Sequence, residues 1–276
     1  MRPQKQKCKL CGASMPADRL KCSECGKIQI EEPQGDNDGT FLLSEGDAKK
    51  VPRIETGVCD LIFGGGLALA SVNLIGGAPG AGKSTFSLQL SDSICGITGR
   101  EVMYIATEEI RAAIRERAER LKLKFLSKIR IVPVKEGYAH NLSQAILARK
   151  PVAIILDSLP GMTGENDERS VELINNLKDH AIELMAPIVV IDHVTKADDF
   201  AGRMTLQHAV DGLFTLFTRN PHGGAERVMR VRKNRNGSDA VELCLQMTES
   251  GLIECQGCTY CEPDELDEAI DTDEDD

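Results

Sequence analysis

Gly77-Ala-Pro-Gly-Ala-Gly-Lys-Ser84 is the stretch on which the reading of this chain turns. Each position has a mechanical task. Glycines at 77, 80 and 82 let the backbone curl so that successive N–H groups point inward at phosphate oxygens. The span Gly77, Ala78, Pro79, Gly80, Ala81, Gly82, Lys83, Ser84 and Thr85 is therefore expected to wrap the phosphates of a nucleotide. Lys83 reaches the β- and γ-phosphates as a point charge, and Ser84 offers a hydroxyl to Mg²⁺. The flanks agree with this. Ser71-Val-Asn-Leu-Ile75 is a short apolar run that reads as a buried strand, and Thr85-Phe-Ser-Leu-Gln-Leu90 begins a helix whose N-terminus would sit under the phosphates.

Outward from the loop, apolar strands alternate with helical stretches. The strands are expected at Glu101–Ala106, Lys128–Val132, Val152–Leu156 and Pro187–Ile191. The helices are expected at Ser84–Ile94, Glu109–Leu121, Asn141–Arg149 and Ser170–Met185. Such alternation implies an α/β fold, a mostly parallel sheet with helices on both faces. After residue 210 the helices stop. Leu213–Phe217, Arg227–Lys233 and Val241–Met247 read as an antiparallel extension at one edge.

Polar residues cluster where these strands end. Asp157 closes the strand Ile154-Ile-Leu-Asp157, beside the phosphate loop, where Mg²⁺ and its waters must be held. Glu108 and Glu109 follow the strand Glu101–Ala106 at the same edge, and a carboxylate there can polarise an attacking water. Glu108 is the favoured base. Glu109 is equally readable as a first-turn helix residue facing the helix dipole. His193 follows the strand Pro187–Ile191, again near the phosphates.

The 276 residues suffice for one α/β domain and a small appendage. Four pieces are expected: a cysteine module at 1–30, a polar linker at 31–50, the α/β domain at 51–254 and a Cys-bearing acidic tail at 255–276. No apolar run approaches the length of a membrane span, and the N-terminus lacks the apolar core of a secretory signal. The ten cysteines are spaced for metal rather than for disulfides, which points to a reducing, cytoplasmic setting. Cys8-x2-Cys11 and Cys22-x2-Cys25 have the doubled-pair spacing of a Cys₄ zinc site. A third group, Cys255, Cys258 and Cys261, is incomplete unless Cys244, a water or a second chain supplies a fourth ligand. Cys59 and Cys95 read as small apolar fillers.

Net charge is −10, but Glu262 to Asp276 carry ten acidic residues and no basic ones, so the remaining chain is neutral. Such a tail is expected to be disordered. Arg227, Arg230, Arg232, Lys233 and Arg235 form the densest basic stretch. Aromatic residues are 4% with no Trp, so base-stacking platforms are scarce and any nucleic-acid binding should be backbone-driven and salt-sensitive.

Taken in order, several stretches resemble the bacterial RadA (Sms) recombination ATPases of the RecA-like group. They are the two Cys pairs; Thr56-Gly57 with Phe63-Gly-Gly-Gly-Leu67; the phosphate loop; Tyr104-Ile-Ala-Thr-Glu-Glu109; Leu156-Asp-Ser158; His193-Val-Thr-Lys196; Ala201-Gly202; Leu206-Gln-His208; and Lys233-Asn-Arg-Asn-Gly237. The resemblance implies a RecA-like ATPase core with a zinc module, using ATP, Mg²⁺ and Zn²⁺. It implies a homo-oligomeric ring or filament that binds single-stranded or branched DNA during recombination, beside a recombinase or a single-strand binding protein. By the same resemblance His193 senses the γ-phosphate and Lys196 opens the DNA-facing loop. Lys233 and Arg235, expected to share a strand face, reach the neighbouring subunit's nucleotide or the DNA. Asn236 stands where the family has Phe. The family's Lon-protease-like domain has no counterpart here, so a compact, phage-type relative is expected. An ATPase of the same fold acting on protein partners, of the clock or signalling type, is the alternative; a non-catalytic adaptor is a second.

Overall fold

The computed structural model describes residues 5–7, 12–16, 24, 51–134, 142–164, 166–193, 204–219 and 224–255. Near the N-terminus, strands β1 (Lys5–Lys7) and β2 (Ser14–Pro16) pair antiparallel. The four zinc-ligand candidates Cys8, Cys11, Cys22 and Cys25 lie outside the described residues, as do Lys196, Ala201, Gly202, the linker at 31–50 and residues 256–276.

The body is built on one nine-stranded sheet. A short ladder, β3 (Arg53–Ile54) with β4 (Leu67–Ala68), stands outside it. The sheet strands in chain order are β5 (Val72–Gly76), β6 (Val102–Ala106), β7 (Ile129–Pro133), β8 (Ala153–Asp157), β9 (Ile188–Ile191), β10 (Gly212–Thr218), β11 (Glu226–Asn234), β12 (Glu242–Thr248) and β13 (Gly251–Glu254). Across the sheet they run β13-β12-β11-β10-β5-β9-β8-β6-β7.

Strand side chains alternate between faces, and here both faces are covered. Val102, Tyr104 and Ala106 of β6 and Ile155 of β8 face one core, filled by Phe86, Leu90 and Ile94 of helix α1 (Lys83–Thr98) and Ile114 of α2 (Arg111–Arg120). Met103, Ile105, Ile154 and Leu156 face the other. That core is closed by α3 (Leu142–Arg149), α4 (Leu159–Thr163), α5 (Asp167–Leu184) and α6 (Met204–Ala209). This double burial explains why the central strands read as unbroken apolar runs. Phe63 packs edge-on against Phe214 at 5.1 Å between ring centroids, tying the segment before the sheet to its middle.

Three expectations need correction. β10 was expected in the antiparallel edge, but it pairs parallel with β5 and antiparallel only with β11. The sheet therefore changes sense one strand later. A crossover through α6 returns the chain to the same sheet end, so no helix is needed after β10 to keep it parallel. α2 begins at Arg111, so Glu109 stands in the bend before the helix and not in its first turn. β11 ends at Asn234, so Arg235 lies just beyond the strand that carries Lys233. The described helices include none long and apolar enough to cross a membrane.

Candidate functional site

The phosphate loop springs from the end of β5 and runs into α1. Gly80 and Gly82 hold positive φ values of 81° and 108°, a region that costs other L-residues roughly 1–2 kcal/mol. Gly77 is needed for a different reason: a Cβ there would strike the carbonyl oxygen of Leu216 on β10. No side chain caps the N-terminus of α1, so its first N–H groups are left for an anion.

Lys83 is 5% exposed. Its Nζ donates to the carbonyls of Gly77 at 2.5 Å and Ala78 at 3.0 Å. Burial pushes its pKa down, against the upward pull of Asp157, Glu108 and Asp192. Burial likewise raises Asp157, with Glu108 and Glu109 adding to the rise, while hydrogen bonds from Tyr104 and Ser84 oppose it. Ser84 Oγ lies 3.2 Å from Asp157 Oδ1. These hard oxygens, one hydroxyl and one carboxylate beside the loop, fit Mg²⁺, which takes one or two protein ligands and fills its shell with phosphate and water. Among the described residues no group of three or more His, Cys, Asp or Glu could hold a metal by itself.

The bends after β6 and β8 are locked together. Ser158 N donates to Thr107 Oγ1 at 2.5 Å, and Thr107 Oγ1 donates to the Ser158 carbonyl at 3.1 Å. Gly161 leaves room for the Thr107 side chain, which a Cβ would strike. The Asp157–Ser158 peptide is cis. This lock brings Glu108 beside Asp157. Glu108 Oε1 accepts from Ser158 Oγ and lies 2.9 Å from His193 Nε2. Glu109 turns elsewhere, into an ion pair with Arg117 of α2 at 2.5 Å. The adjacent glutamates thus occupy different surroundings. His193 also donates its backbone N–H to Asp192 Oδ1 at 2.9 Å.

Lys233 and Arg235 are not at this edge. β10 runs parallel to β5, with Gly212 opposite Asn73 and Lys233 opposite Leu213. Leu213 in turn lies opposite Leu74, so three strand residues separate the level of Lys233 from Gly77, about 10 Å at ~3.3 Å per residue. Lys233 Nζ donates to the carbonyls of Gln207 at 2.7 Å and Val210 at 2.8 Å. Arg235 pairs with Asp211 at 3.3 Å. Both thus gather at the C-terminal end of α6, where cations are favoured.

Several residues at the site carried no individual role in the sequence analysis. Tyr104 is fully buried and donates to Asp157 Oδ2, with Ser87 Oγ 3.1 Å from its hydroxyl. Burial foremost pushes its phenol pKa well up. Arg227 of β11 donates to the loop carbonyl of Ala81 at 3.0 Å. Thr107, Ser158 and Arg117 belong to the same set. A polar residue inside an apolar strand was the available signal for Tyr104; nothing local marked Arg227 among its basic neighbours. Cys59 and Cys95 are buried fillers as expected, and burial foremost pushes the Cys95 thiol up to about 11.

Comparison with known proteins follows the same lines. The family model described as an AAA domain matches residues 58–199, a little over half of the chain. The DNA repair protein RadA of Bacillus subtilis (strain 168) is 30% identical, over 90% of this chain and 58% of that protein. That of Treponema pallidum (strain Nichols) is 31% identical with the same coverage, and that of Brucella abortus (strain 2308) is 28% identical. The chain thus spans under two thirds of the length of these curated relatives. Among solved structures, a KaiC-like protein from the hyperthermophilic archaeon Pyrococcus horikoshii OT3 superposes with a TM-score of 0.64 at 18% identity, covering 74% of this chain and 99% of the other; at that identity the likeness speaks for the fold alone, a RecA-like core. With a family match over more than half of its length and RadA relatives matched over nine tenths of it, the chain belongs to the AAA-domain family, as a RecA-like relative of the bacterial DNA repair protein RadA.

Proposed function

We propose that this chain is a Mg²⁺-dependent ATP hydrolase that acts on single-stranded or branched DNA in recombination and repair, as a homo-oligomer. The observation that carries the reading is the convergence of Lys83, Asp157, Glu108 and His193 at one sheet edge, with Lys233 and Arg235 at the opposite edge. Residues Gly77 to Thr85 wrap the phosphates, and Lys83 leaves its loop carbonyls for the β- and γ-oxygens. Ser84 and Asp157 would hold Mg²⁺, which neutralises phosphate charge when bound. Glu108 polarises the attacking water, since Ser158 and His193 fix its carboxylate while Glu109 is engaged with Arg117. His193, bonded to Glu108, couples the γ-phosphate to the segment that follows it. Lys233 and Arg235 lie too far from their own phosphate loop, so they serve the nucleotide of an adjacent subunit; an arginine in such a place is worth roughly 10³–10⁵ in rate.

The proposal extends to the N-terminal piece, residues 1–30, as a zinc module held by Cys8, Cys11, Cys22 and Cys25. Its support is the ligand spacing; metal analysis of the purified protein should find stoichiometric zinc, and its absence removes the module. Residues 31–50 then serve as a linker, 51–254 as the ATPase domain and 255–276 as the tail.

The deciding experiment is steady-state ATP hydrolysis with and without single-stranded DNA, at low and moderate salt. Stimulation that fades with salt is the expected result, because contacts to the phosphate backbone release counterions. Hydrolysis indifferent to DNA at every salt would transfer the reading to an ATPase that acts on protein partners. Lys83→Ala should abolish turnover in either case.

A further inference from the structure

Tyr104 is a phenol inside an apolar strand, fully buried between β6 and α1. Its place follows from register. On adjacent parallel strands Ala106 pairs with Asp157 and Tyr104 with Ile155, so Tyr104 and Asp157 point to the same face one diagonal step apart, within reach of a long side chain. The phenol donates to Asp157 Oδ2. From above, α1 sends down two hydroxyls one turn apart, at i and i+3. Ser84 Oγ meets Asp157 Oδ1 at 3.2 Å, and Ser87 Oγ meets the Tyr104 hydroxyl at 3.1 Å.

Proton counting orients this chain of groups. An ionised carboxylate only accepts, and a phenol has one proton. Tyr104 spends its one O–H on the hydrogen bond to Asp157, so Ser87 must be the donor to the phenol oxygen. Ser87 Oγ also lies 3.1 Å from the Ser84 carbonyl, so its proton is shared between two acceptors. Each carboxylate oxygen of Asp157 therefore has a distinct office: Oδ2 is held from below by Tyr104, and Oδ1 accepts from Ser84.

We propose that Tyr104 is the positioning residue for the magnesium corner, fixing the Asp157 carboxylate so that Oδ1 alone is presented beside Ser84, with Ser87 orienting the phenol. The inference rests on the reading of Ser84 and Asp157 as the Mg²⁺ pair and adds the residues that aim them. Partners that orient a metal-binding group from behind matter in proportion to the order they impose, and their loss lowers metal affinity about 10–100-fold.

The test separates metal from nucleotide. Binding of a fluorescent, non-hydrolysable ATP analogue is measured first in EDTA and then across a Mg²⁺ titration, on the full chain. For Tyr104→Phe, the affinity in EDTA should stay within about two-fold of the parent while the Mg²⁺ midpoint rises about 10–100-fold. Ser87→Ala should move the midpoint the same way by less. The double variant should move it no further than Tyr104→Phe alone, because Ser87 acts through the phenol. An unchanged midpoint in Tyr104→Phe overturns the inference and leaves the nucleotide site standing. Equal loss of affinity in EDTA and in Mg²⁺ also overturns it, since Tyr104 would then only support the fold. If the parent itself binds the analogue identically with and without Mg²⁺, the assignment of Ser84 and Asp157 fails first and this inference falls with it. Should Tyr104→Phe not fold, Ser87→Ala decides: a raised midpoint supports the inference and an unmoved one overturns it.

Discussion

Two neighbouring glutamates have been given opposite occupations by their partners. Glu108 meets Ser158 and His193; Glu109 meets Arg117. Glu108→Gln should therefore lower kcat by about 10²–10⁴ with nucleotide affinity kept, the usual worth of a general base. Glu109→Gln should leave kcat nearly intact and lower stability by about 1 kcal/mol, the pair being partly screened by solvent; paired kinetics and thermal melts separate the two. Asp157 yields a sign as well as a size. Its folded pKa is raised, by burial first, so the folded state holds its proton more tightly than the unfolded chain. Its contribution to stability is full below the ordinary carboxylate pKa and is lost as pH rises through the raised value. Metal-free protein at neutral pH bears that loss. Asp157→Asn should melt higher than the parent at pH 7, by about 2–4 °C per kcal/mol relieved, and the advantage should vanish on acidification. A parent that melts higher at pH 7 would contradict the account. At this scale residue type and position sufficed to single out Lys83, Ser84 and Asp157, which the fold brings to one edge. It did not disclose Tyr104 or Arg227, whose meaning depends on which strand lies alongside and in what register.

Among the elements, β10 is the hinge of the architecture. It pairs parallel with β5 on one side and antiparallel with β11 on the other, and the phosphate loop leans on its backbone at Leu216. Alternation of strand and helix revealed the parallel half because those strands are buried on both faces. It misassigned β10, since pairing sense is set by the crossover through α6 and not by local composition. The contact with β10 distinguishes two glycines in one motif. Gly77→Ala forces its methyl into a carbonyl of a packed strand and should cost about 1–3 kcal/mol or more. Gly80→Ala meets open space at φ 81° and should cost about 1–2 kcal/mol from backbone strain alone. Urea midpoints measure both, and an equal or reversed order would refute the close approach.

For the whole molecule, the proposed function assigns complementary halves of one chemistry to the two ends of the sheet. Lys83 and Glu108 stand at the C-terminal edge of the parallel strands; Lys233 and Arg235 stand at the other. A mixture of Lys83→Ala chains with Arg235→Ala chains should hydrolyse ATP faster than either alone, because some interfaces pair an intact loop with an intact arginine. No recovery, together with a lowered melting temperature for Arg235→Ala, would reduce the pair to caps on α6. This division between edges was out of reach of the sequence, where Lys233 and Arg235 appear only as members of a basic run.

The latching of the phosphate loop by late strands bears on how the chain is born. Arg227 holds Ala81 across 146 positions, and Gln89 makes two hydrogen bonds to the backbone of Leu252 across 163. A Cβ on Gly82 would meet Met247 and Leu252. A ribosome that has released residues 71–191 has released Lys83, Asp157 and Glu108, but not the hairpin that pins the loop between them. Local helices and the parallel core form early, and contacts of such long sequence separation close last. Until β13 emerges the nascent chain thus carries the complete phosphate motif without the late-strand contacts that hold it.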